Sequence, residues 1–294
     1  MKLAISAYSY HQMVESGEIT WLETVRRIAA HNVDGIEFAA FDAPEDVCKF
    51  EYAEKLSAAC KTAGLPVVCY SIHADFLTGS GKNLDAEVER LDEELKIAQI
   101  LGTKLMRHDV TWSSPRDYYG VPSFENQLVR LAEGTRRVTE KAAALGIRTC
   151  TENHGYYMQG AERVARLCAA VDHPNYGLLA DVGNFICADE DGAVALGQIM
   201  PMVFHVHIKD MFYRSGGKIS PGRGWGRSRG GNFFKGAVIG HGDTPVVPAL
   251  RILKNAGYGG YVAVEYGAAE HSDLGVEISM ENLRRFIKIV DEEN

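Results

Sequence analysis

Hydrophobic and polar positions follow two alternating patterns along the chain. Short runs rich in β-branched and aromatic residues predict strands, and longer stretches with apolar residues three and four positions apart predict amphipathic helices. The predicted strands begin at Leu3, Gly35, Pro66, Lys104, Arg148, Tyr176, Val203 and Tyr261. The predicted helical stretches begin at Thr20, Pro44, Leu84, Ser123, Gly160, Asp191, Val246 and Ser279. The expected helix N-caps are Thr20, Asp85 and Ser123.

Eight strands that alternate strictly with eight helices predict a parallel sheet with crossover helices. In a chain of 294 residues this number of units favours an α/β fold of the closed (β/α)8 TIM-barrel type, forming a single domain over residues 1–294. A doubly wound open sheet is the alternative. The sequence gives little support for a dinucleotide or P-loop site, because no G-x-G-x-x-G or G-x-x-x-x-G-K motif follows a strand.

The connection after the seventh strand is roughly twice as long as an ordinary βαβ repeat. Its central segment, residues 211–240, is rich in glycine and arginine and has no helical periodicity. Long connections without regular structure are typical of functional or disordered loops. Aromatic residues among the glycines favour an inserted lid or an oligomerisation arm. The basic residues Arg223, Arg227 and Arg229 could clamp a phosphate or belong to a solvated loop.

Composition narrows the classes of partner. A net charge of −8 argues against nucleic-acid binding, which requires a basic surface. No apolar run is long enough to cross a membrane, and the N-terminus turns polar too soon for a signal peptide. The six cysteines are scattered and contain no C-x-x-C pair, which favours reduced thiols. We therefore expect a cytoplasmic protein with neither a nucleic-acid nor a membrane partner.

In a TIM barrel the active site lies at the C-terminal ends of the strands. The last four predicted strands end near Glu152, Asp181, His207 and Glu265. Three buried carboxylates repel one another unless they are protonated or bound to a cation. Three oxygens and one nitrogen suit Mn²⁺, Mg²⁺ or Co²⁺, with Zn²⁺ also acceptable. We expect one divalent metal ion, with Mn²⁺ as the first choice.

Two histidines of the seventh strand share one face, because side chains two positions apart point the same way. His207 is the expected ligand, since it lies nearer the C-terminal end of the strand. His205 lies one layer deeper, where it either bonds to a ligand from behind or simply packs. Glu37 lies near the end of the second strand, and Arg107 near the end of the fourth.

Other polar and aromatic residues near the strand ends are candidates for substrate binding. Histidines could bind hydroxyls or move protons, a lysine could pair with an oxyanion, and aromatic rings could form a wall for a sugar. For each of these residues the alternative interpretation is an ordinary structural role. The candidates are His73, His108, His154, Lys209, Trp112 and Tyr156.

Four motifs in strand order, "TENHG", "ADVGNF", "HVHIKD" and "AVEYG", resemble the sugar phosphate isomerase/epimerase family. This family belongs to the xylose-isomerase-like TIM-barrel superfamily, which also contains ketose 3-epimerases, inosose dehydratase and endonuclease IV. The resemblance covers essentially the whole chain. It implies that the metal polarises a carbonyl and stabilises an enediolate, while Glu152 and Glu265 act as acid and base. Asn184 departs from the histidine common in ketose 3-epimerases, which puts ketose-type binding in doubt.

The resulting expectation is a metal-dependent isomerase or epimerase of a sugar or keto-sugar, modified or phosphorylated forms included. We expect its partner to be a small-molecule carbohydrate substrate and its assembly to be a homo-oligomer (dimer or tetramer). The first alternative is a lyase or dehydratase with the same site, acting on an inosose-like substrate or by elimination on a 3-keto-glycoside. An endonuclease-IV-like repair enzyme is disfavoured by the acidic charge. A non-catalytic sugar-binding subunit is the remaining alternative.

Overall fold

The strands form where the β-rich runs predict them. The computed structural model describes residues 1–111, 124–155 and 157–293. The strands are β1 Lys2–Ser6, β2 Gly35–Ala39, β3 Val67–Ile72, β4 Leu105–His108, β5 Arg148–Glu152, β6 Tyr176–Asp181, β7 Val203–Ile208, β8 Asp210–Arg214, β9 Gly226–Arg227, β10 Phe233–Ala237 and β11 Tyr261–Val264. Eight of them close a parallel barrel in the order β1-β11-β7-β6-β5-β4-β3-β2. The predicted TIM barrel is therefore confirmed.

Helices connect consecutive barrel strands. They are α1 His11–Glu15, α2 Trp21–Ala30, α3 Lys49–Thr62, α4 Gly79–Lys82, α5 Leu84–Leu101, α6 Phe124–Ala144, α7 Ala161–Val171, α8 Gly192–Ile199, α9 Val246–Asn255 and α10 Ser272–Glu292. The last helix begins earlier than the pattern from Ser279 predicted. Among the described residues, no helix combines the length and the apolar character needed to span a bilayer.

The helix caps agree with the prediction at one position and differ at another. Thr20 caps α2 in a capping box with Glu23, in which each side chain bonds to the backbone of the other residue. Asp85 is not a cap, which corrects the prediction. Asn83 caps α5 instead by accepting a hydrogen bond from Ala86 N, and Asp85 lies in the first turn of that helix. Ser123 lies outside the described residues.

The core lies on both sides of the barrel wall. Outward strand residues such as Ile36 and Phe38 pack against the helices. Inside the barrel, the end opposite the active site is filled by an apolar layer. That layer consists of Cys69, Leu105, Cys150 and Leu179, with Phe204 packed against it. None of the six cysteines forms a disulfide. Because apolar side chains fill this end of the barrel, the polar side chains that point inward lie at its C-terminal mouth.

The segment after β7 has regular structure, which corrects the prediction of a structureless loop. Strands β8, β10 and β9 form an antiparallel sheet in that order. The carboxylate of Asp210 accepts hydrogen bonds from Gly240 N and Thr244 N, and Asp189 accepts one from Asn232 Nδ2. These bonds tie the sheet to the barrel mouth. The sequence pattern missed the sheet because backbone pairing, rather than an alternating apolar face, holds these short strands together.

Candidate metal centre and its cavity

The four predicted metal ligands meet at the C-terminal mouth of the barrel. Glu152 ends β5, Asp181 ends β6, His207 lies on β7, and Glu265 directly follows β11. One ligand atom from each lies within 4.8 Å of the others. Nδ1 of His207 is 3.4 Å from Glu265 Oε1, 3.9 Å from Glu152 Oε1 and 4.0 Å from Asp181 Oδ2. Parallel neighbours set this arrangement, since Asp181 on β6 pairs in register with His207 on β7.

The donor atoms fit a divalent cation. His207 Nδ1 and Asp181 Oδ2 are both buried and neither makes a hydrogen bond, although Lys209 Nζ forms an ion pair with Asp181 Oδ2 at 3.2 Å. Such atoms are costly in a dry interior unless something binds them. Burial raises the pKa of Asp181 to about 6, and the charge of Glu152 adds to this while Lys209 opposes it. The site therefore disfavours three ionised carboxylates unless a further positive charge is added, and its oxygen-rich set suits a hard or borderline ion.

Glu37 aims His207 at the other ligands. Its Oε2 lies 2.8 Å from His207 Nε2 and 2.9 Å from His205 Nε2, and its Oε1 accepts a hydrogen bond from Ser71 Oγ at 2.6 Å. Burial alone would raise the pKa of Glu37, but His207 and His205 hold it well below its usual range. A carboxylate only accepts, so Nε2 of His207 carries a proton. Burial opposes the charge of this imidazole, but Glu37 and Glu265 raise the pKa of His207 to about 10, so an ion bound at Nδ1 would replace a proton there. His205 is therefore hydrogen-bonded rather than merely packed.

Lys209 extends into the same cluster of carboxylates. Its Nζ forms an ion pair with Glu265 and lies 3.2 Å from Asp181 Oδ2 and 3.4 Å from Asn184 Oδ1. Burial opposes its charge, but Asp181 and Glu265 raise the pKa of the ammonium well above its usual value. Burial likewise opposes ionisation of Glu265, yet Lys209 and His207 lower the pKa of that carboxyl to about 2. One lysine thus leaves the three carboxylates with excess negative charge.

Two residues hold Glu152 in place, and the sequence analysis predicted neither of these contacts. Arg107 Nη2 lies 2.7 Å from Glu152 Oε2 and 2.8 Å from Asp109 Oδ1. Asn184 Nδ2 donates to Glu152 Oε1 at 2.8 Å. Both carboxylate oxygens are therefore fixed. The amide of Asn184, at the position where ketose 3-epimerases commonly have a histidine, orients the candidate ligand Glu152 in this chain.

Asp109 organises the β4 side of the cavity. Its Oδ2 lies 3.1 Å from His73 Nδ1, and its Oδ1 lies 3.0 Å from His154 Nδ1. Burial opposes the charge of Asp109, but Arg107 and His154 lower the pKa of its carboxyl far below the usual range. The same aspartate thus holds a guanidinium and two imidazoles, all three of which line the cavity.

His108 does not reach the cavity, which corrects its proposed place among the substrate-binding residues. Alternation along β4 turns Arg107 inward and His108 outward. Its ring lies 5.8 Å from the ring of Phe76, and Nδ1 donates to the backbone oxygen of Asp109 at 2.7 Å. Burial lowers the pKa of His108 to about 4, so it is a neutral residue of the outer core.

A cavity of about 210 Å³ opens over the metal centre. It is lined by Tyr8, His11, Glu15, Trp21, Ala39, Ala40, Ser71, His73, Arg107, Glu152, His154, Lys209 and Glu265. Tyr8 and Trp21 supply its aromatic surface, and the Tyr8 ring stacks on His11 at 4.1 Å. The predicted aromatic wall residues Trp112 and Tyr156 lie outside the described residues. Tyr8 lies two residues beyond the end of β1, a position that sequence reasoning did not select.

Comparison with known proteins supports a common fold over the whole chain. A family profile described as "Xylose isomerase-like TIM barrel" matches residues 25–286. L-ribulose-5-phosphate 3-epimerase UlaE of Escherichia coli (strain SE11) is 22% identical over 282 residues, covering 92% of this chain and 90% of that protein. The structure of D-psicose 3-epimerase with D-tagatose from Clostridium cellulolyticum H10 has a TM-score of 0.69 at 18% identity, covering 99% of this chain and 98% of that one. The probable 3-DHS dehydratase AsbF from Bacillus anthracis has a TM-score of 0.73 at 16% identity, with full coverage of both chains.

Proposed function

The chain belongs to the xylose isomerase-like TIM barrel family, and from this premise we propose that it is a divalent-metal-dependent epimerase or isomerase of a sugar or keto-sugar. One observation carries the proposal. Three carboxylates and the unpartnered Nδ1 of His207 converge at the mouth of the barrel, beside a cavity with aromatic walls. The names of two relatives, L-ribulose-5-phosphate 3-epimerase and D-psicose 3-epimerase, support the same reaction class.

The ion would be held by Glu152, Asp181, Glu265 and Nδ1 of His207. A divalent ion bound there supplies a Lewis acid beside the carbonyl of the substrate. Glu37 fixes the imidazole from behind. Mn²⁺ is the first choice for a set of three oxygens and one nitrogen.

Glu152 and Glu265 stand on opposite sides of the site. Their strands, β5 and β11, are separated in the barrel by β6 and β7. One glutamate can therefore remove a proton next to the carbonyl, and the other can return a proton to the opposite face. Arg107 and Asn184 fix Glu152, while Lys209 pairs with Glu265. Although burial opposes ionisation, Lys209 and His207 lower the pKa of Glu265 to about 2, so this carboxyl is ionised at neutral pH.

Elimination is the second candidate reaction, and the position of Lys209 favours it. Its Nζ lies in the cavity beside Glu265. A glutamate would take the proton from carbon, the carbon–oxygen bond at the neighbouring carbon would break beside the Lys209 ammonium, and the proton would pass from the glutamate to the departing hydroxide to give water. The name of the dehydratase AsbF supports the same option. A product mass lower by one water identifies elimination, and an unchanged mass identifies epimerisation or isomerisation.

Exchange of substrate hydrogen for solvent deuterium tests the proposal directly. A panel of sugars and keto-sugars is incubated with the Mn²⁺-loaded protein in D₂O and followed by NMR. Glu152→Gln and Glu265→Gln should each slow exchange about 10²- to 10⁴-fold. The metal content of each variant is measured in parallel, because both residues are also proposed ligands.

The matched control is Glu89→Gln. Glu89 belongs to an acidic cluster at the surface, with Asp92 and Glu93, and this cluster could bind an ion adventitiously. The control should keep both the tightly bound ion and the exchange rate. Wild-type exchange rates in metal-loaded Glu152→Gln and Glu265→Gln would refute the assigned roles. A binding subunit without catalysis would bind sugar and exchange no proton.

A further inference from the structure

The charge of the cavity restricts the class of substrate, an inference that rests on the proposed function. Among the described residues that line the cavity, the lysine and arginine side chains are Arg107 and Lys209. Arg107 Nη2 is shared by Glu152 and Asp109, while Nη1 donates to Ile72 O at 3.1 Å and to Asp109 Oδ2 at 3.2 Å. Both terminal nitrogens of this buried guanidinium are therefore occupied by protein oxygens.

Lys209 is occupied in the same way. Its Nζ lies among the oxygens of Glu265, Asp181 and Asn184. An ammonium has three donors, and three protein oxygens surround this one. A phosphate oxygen would have to compete with two carboxylates for it.

The imidazoles of the cavity are committed to protein acceptors as well. His73 and His154 each direct Nδ1 to the carboxylate of Asp109, and His11 Nδ1 lies 2.7 Å from Tyr8 O. Asp109 therefore fixes one nitrogen of each of these two imidazoles and both terminal nitrogens of Arg107. Its own carboxylate charge balances that of the guanidinium.

Negative charge dominates the remaining wall. Glu15, Glu152 and Glu265 line the cavity, and Asp109 and Asp181 lie directly behind it. The two protein cations of this wall, Arg107 and Lys209, are already paired with these carboxylates. A phosphate ester adds a charge of about −1.5 to −2 at neutral pH, and burying it beside like charges is unfavourable.

The size and apolar surface of the cavity fit a small neutral ring. A volume of about 210 Å³ equals roughly seven waters at their share of liquid volume. Tyr8 and Trp21 offer aromatic faces against which the C–H face of a sugar can pack. We propose that the cavity takes an uncharged monosaccharide or keto-sugar rather than a phosphorylated one, and that Asp109 contributes to this preference by holding Arg107.

Paired ligands test the proposal on the full-length, Mn²⁺-loaded protein. Neutral ketoses, aldoses and 3-keto-sugars are each compared with a phosphate ester of the same sugar, with D-fructose and D-fructose 6-phosphate as one pair. Calorimetry measures binding, and deuterium exchange measures turnover. The best neutral sugar should bind at least about 100-fold more tightly than its phosphate ester, since like charges facing each other are strongly penalised.

Asp109→Asn should reduce the ratio of neutral-sugar affinity to phosphate-ester affinity at least about tenfold. The reason is that asparagine has one acceptor oxygen and no charge with which to hold Arg107 and two imidazoles. Glu15→Gln should also reduce this affinity ratio, and it leaves the buried network intact. It therefore provides a test of the inference if Asp109→Asn does not fold. The control is Asp85→Asn, an exposed aspartate paired with Arg137, which should leave the ratio unchanged.

The outcomes separate the two proposals. Phosphate esters that bind as tightly as the neutral sugars, or failure of every neutral sugar to bind, would overturn the inference. An unchanged ratio in folded Asp109→Asn would overturn the role of Asp109. A neutral preference in binding without deuterium exchange from any sugar would support the inference and refute the proposed function.

Discussion

Replacing Glu37 with glutamine tests how the protein aims His207. Glu37 is fully buried, and it accepts hydrogen bonds from His207, His205 and Ser71 at 2.6–2.9 Å. Glutamine keeps the volume but removes the negative charge, and it exchanges one oxygen for an amide nitrogen that cannot accept. His207 should become a weaker and less firmly oriented ligand. We therefore expect weaker metal binding in a barrel that remains closed.

The size of the effect follows from the contacts that are lost. Residues that orient a metal ligand from behind typically change metal affinity by about 10- to 100-fold, or about 1.4–2.8 kcal/mol. The two bonds from the imidazoles can persist to a neutral amide oxygen, but charge-assisted bonds are roughly twice as strong as neutral ones. Glu37→Gln should consequently weaken Mn²⁺ binding by at least about tenfold.

Competition with a chromophoric chelator measures the affinity, and circular dichroism with thermal denaturation checks the fold. Glu87→Gln is the matched control, since Glu87 is also a buried carboxylate but bonds to Arg90 and Ser80 on the outer side of the barrel. The control should lower the melting temperature and keep the metal affinity. Wild-type affinity in folded Glu37→Gln, or an equal loss in the control, would show that Glu37 does not orient the ligand.

Three further predictions concern the ligand set, the inserted sheet and a helix cap. Asp181→Ala should remove most of the bound metal, and chelation of the wild-type protein should abolish turnover that Mn²⁺ then restores; full activity after exhaustive chelation would contradict the metal centre. Deleting residues 215–232 removes no barrel strand and no proposed ligand, so metal binding should persist. If the segment is a lid, the deletion should abolish turnover, and if it is an oligomerisation arm, size-exclusion chromatography should show a smaller assembly. Unchanged turnover and unchanged assembly would show that the segment is a plain insertion. Thr20→Ala should lower the free energy of unfolding in urea by about 1 kcal/mol through loss of the capping box with Glu23, and an unchanged value would refute the contribution of that cap.

The barrel and the convergence of the four candidate ligands at its mouth were readable from the sequence for the same physical reason. Each crossover helix returns the chain to the same end of the sheet, so every parallel strand finishes at one mouth. Carboxylates or histidines at four successive strand ends must then approach one another. Asp181 and His207 illustrate this, since they pair in register on neighbouring strands. Knowing the order and ends of the strands was sufficient to place them.

The residues that support these ligands could not be read in that way. Glu37 and His207 lie 170 positions apart and meet across the barrel rather than along its wall. Which side chains meet across the interior depends on the tilt and stagger of the strands, which periodicity does not reveal. The same holds for Arg107, whose contact with Glu152 depends on the inward turn of a four-residue strand. His108 was misplaced because one step along that strand reverses the face.

The two proposed proton-transfer residues differ in how firmly the protein holds them. Both oxygens of Glu152 are fixed, one by the planar guanidinium of Arg107 and the other by the amide of Asn184. Glu265 is paired instead with Lys209, a single ammonium on a long side chain. Arg107 is in turn fixed by Asp109, so Glu152 depends on a buried network and Glu265 on one adaptable contact. Adjustment to different substrates should therefore fall mainly on Glu265, because moving Glu152 would break several charge-assisted bonds in a dry interior.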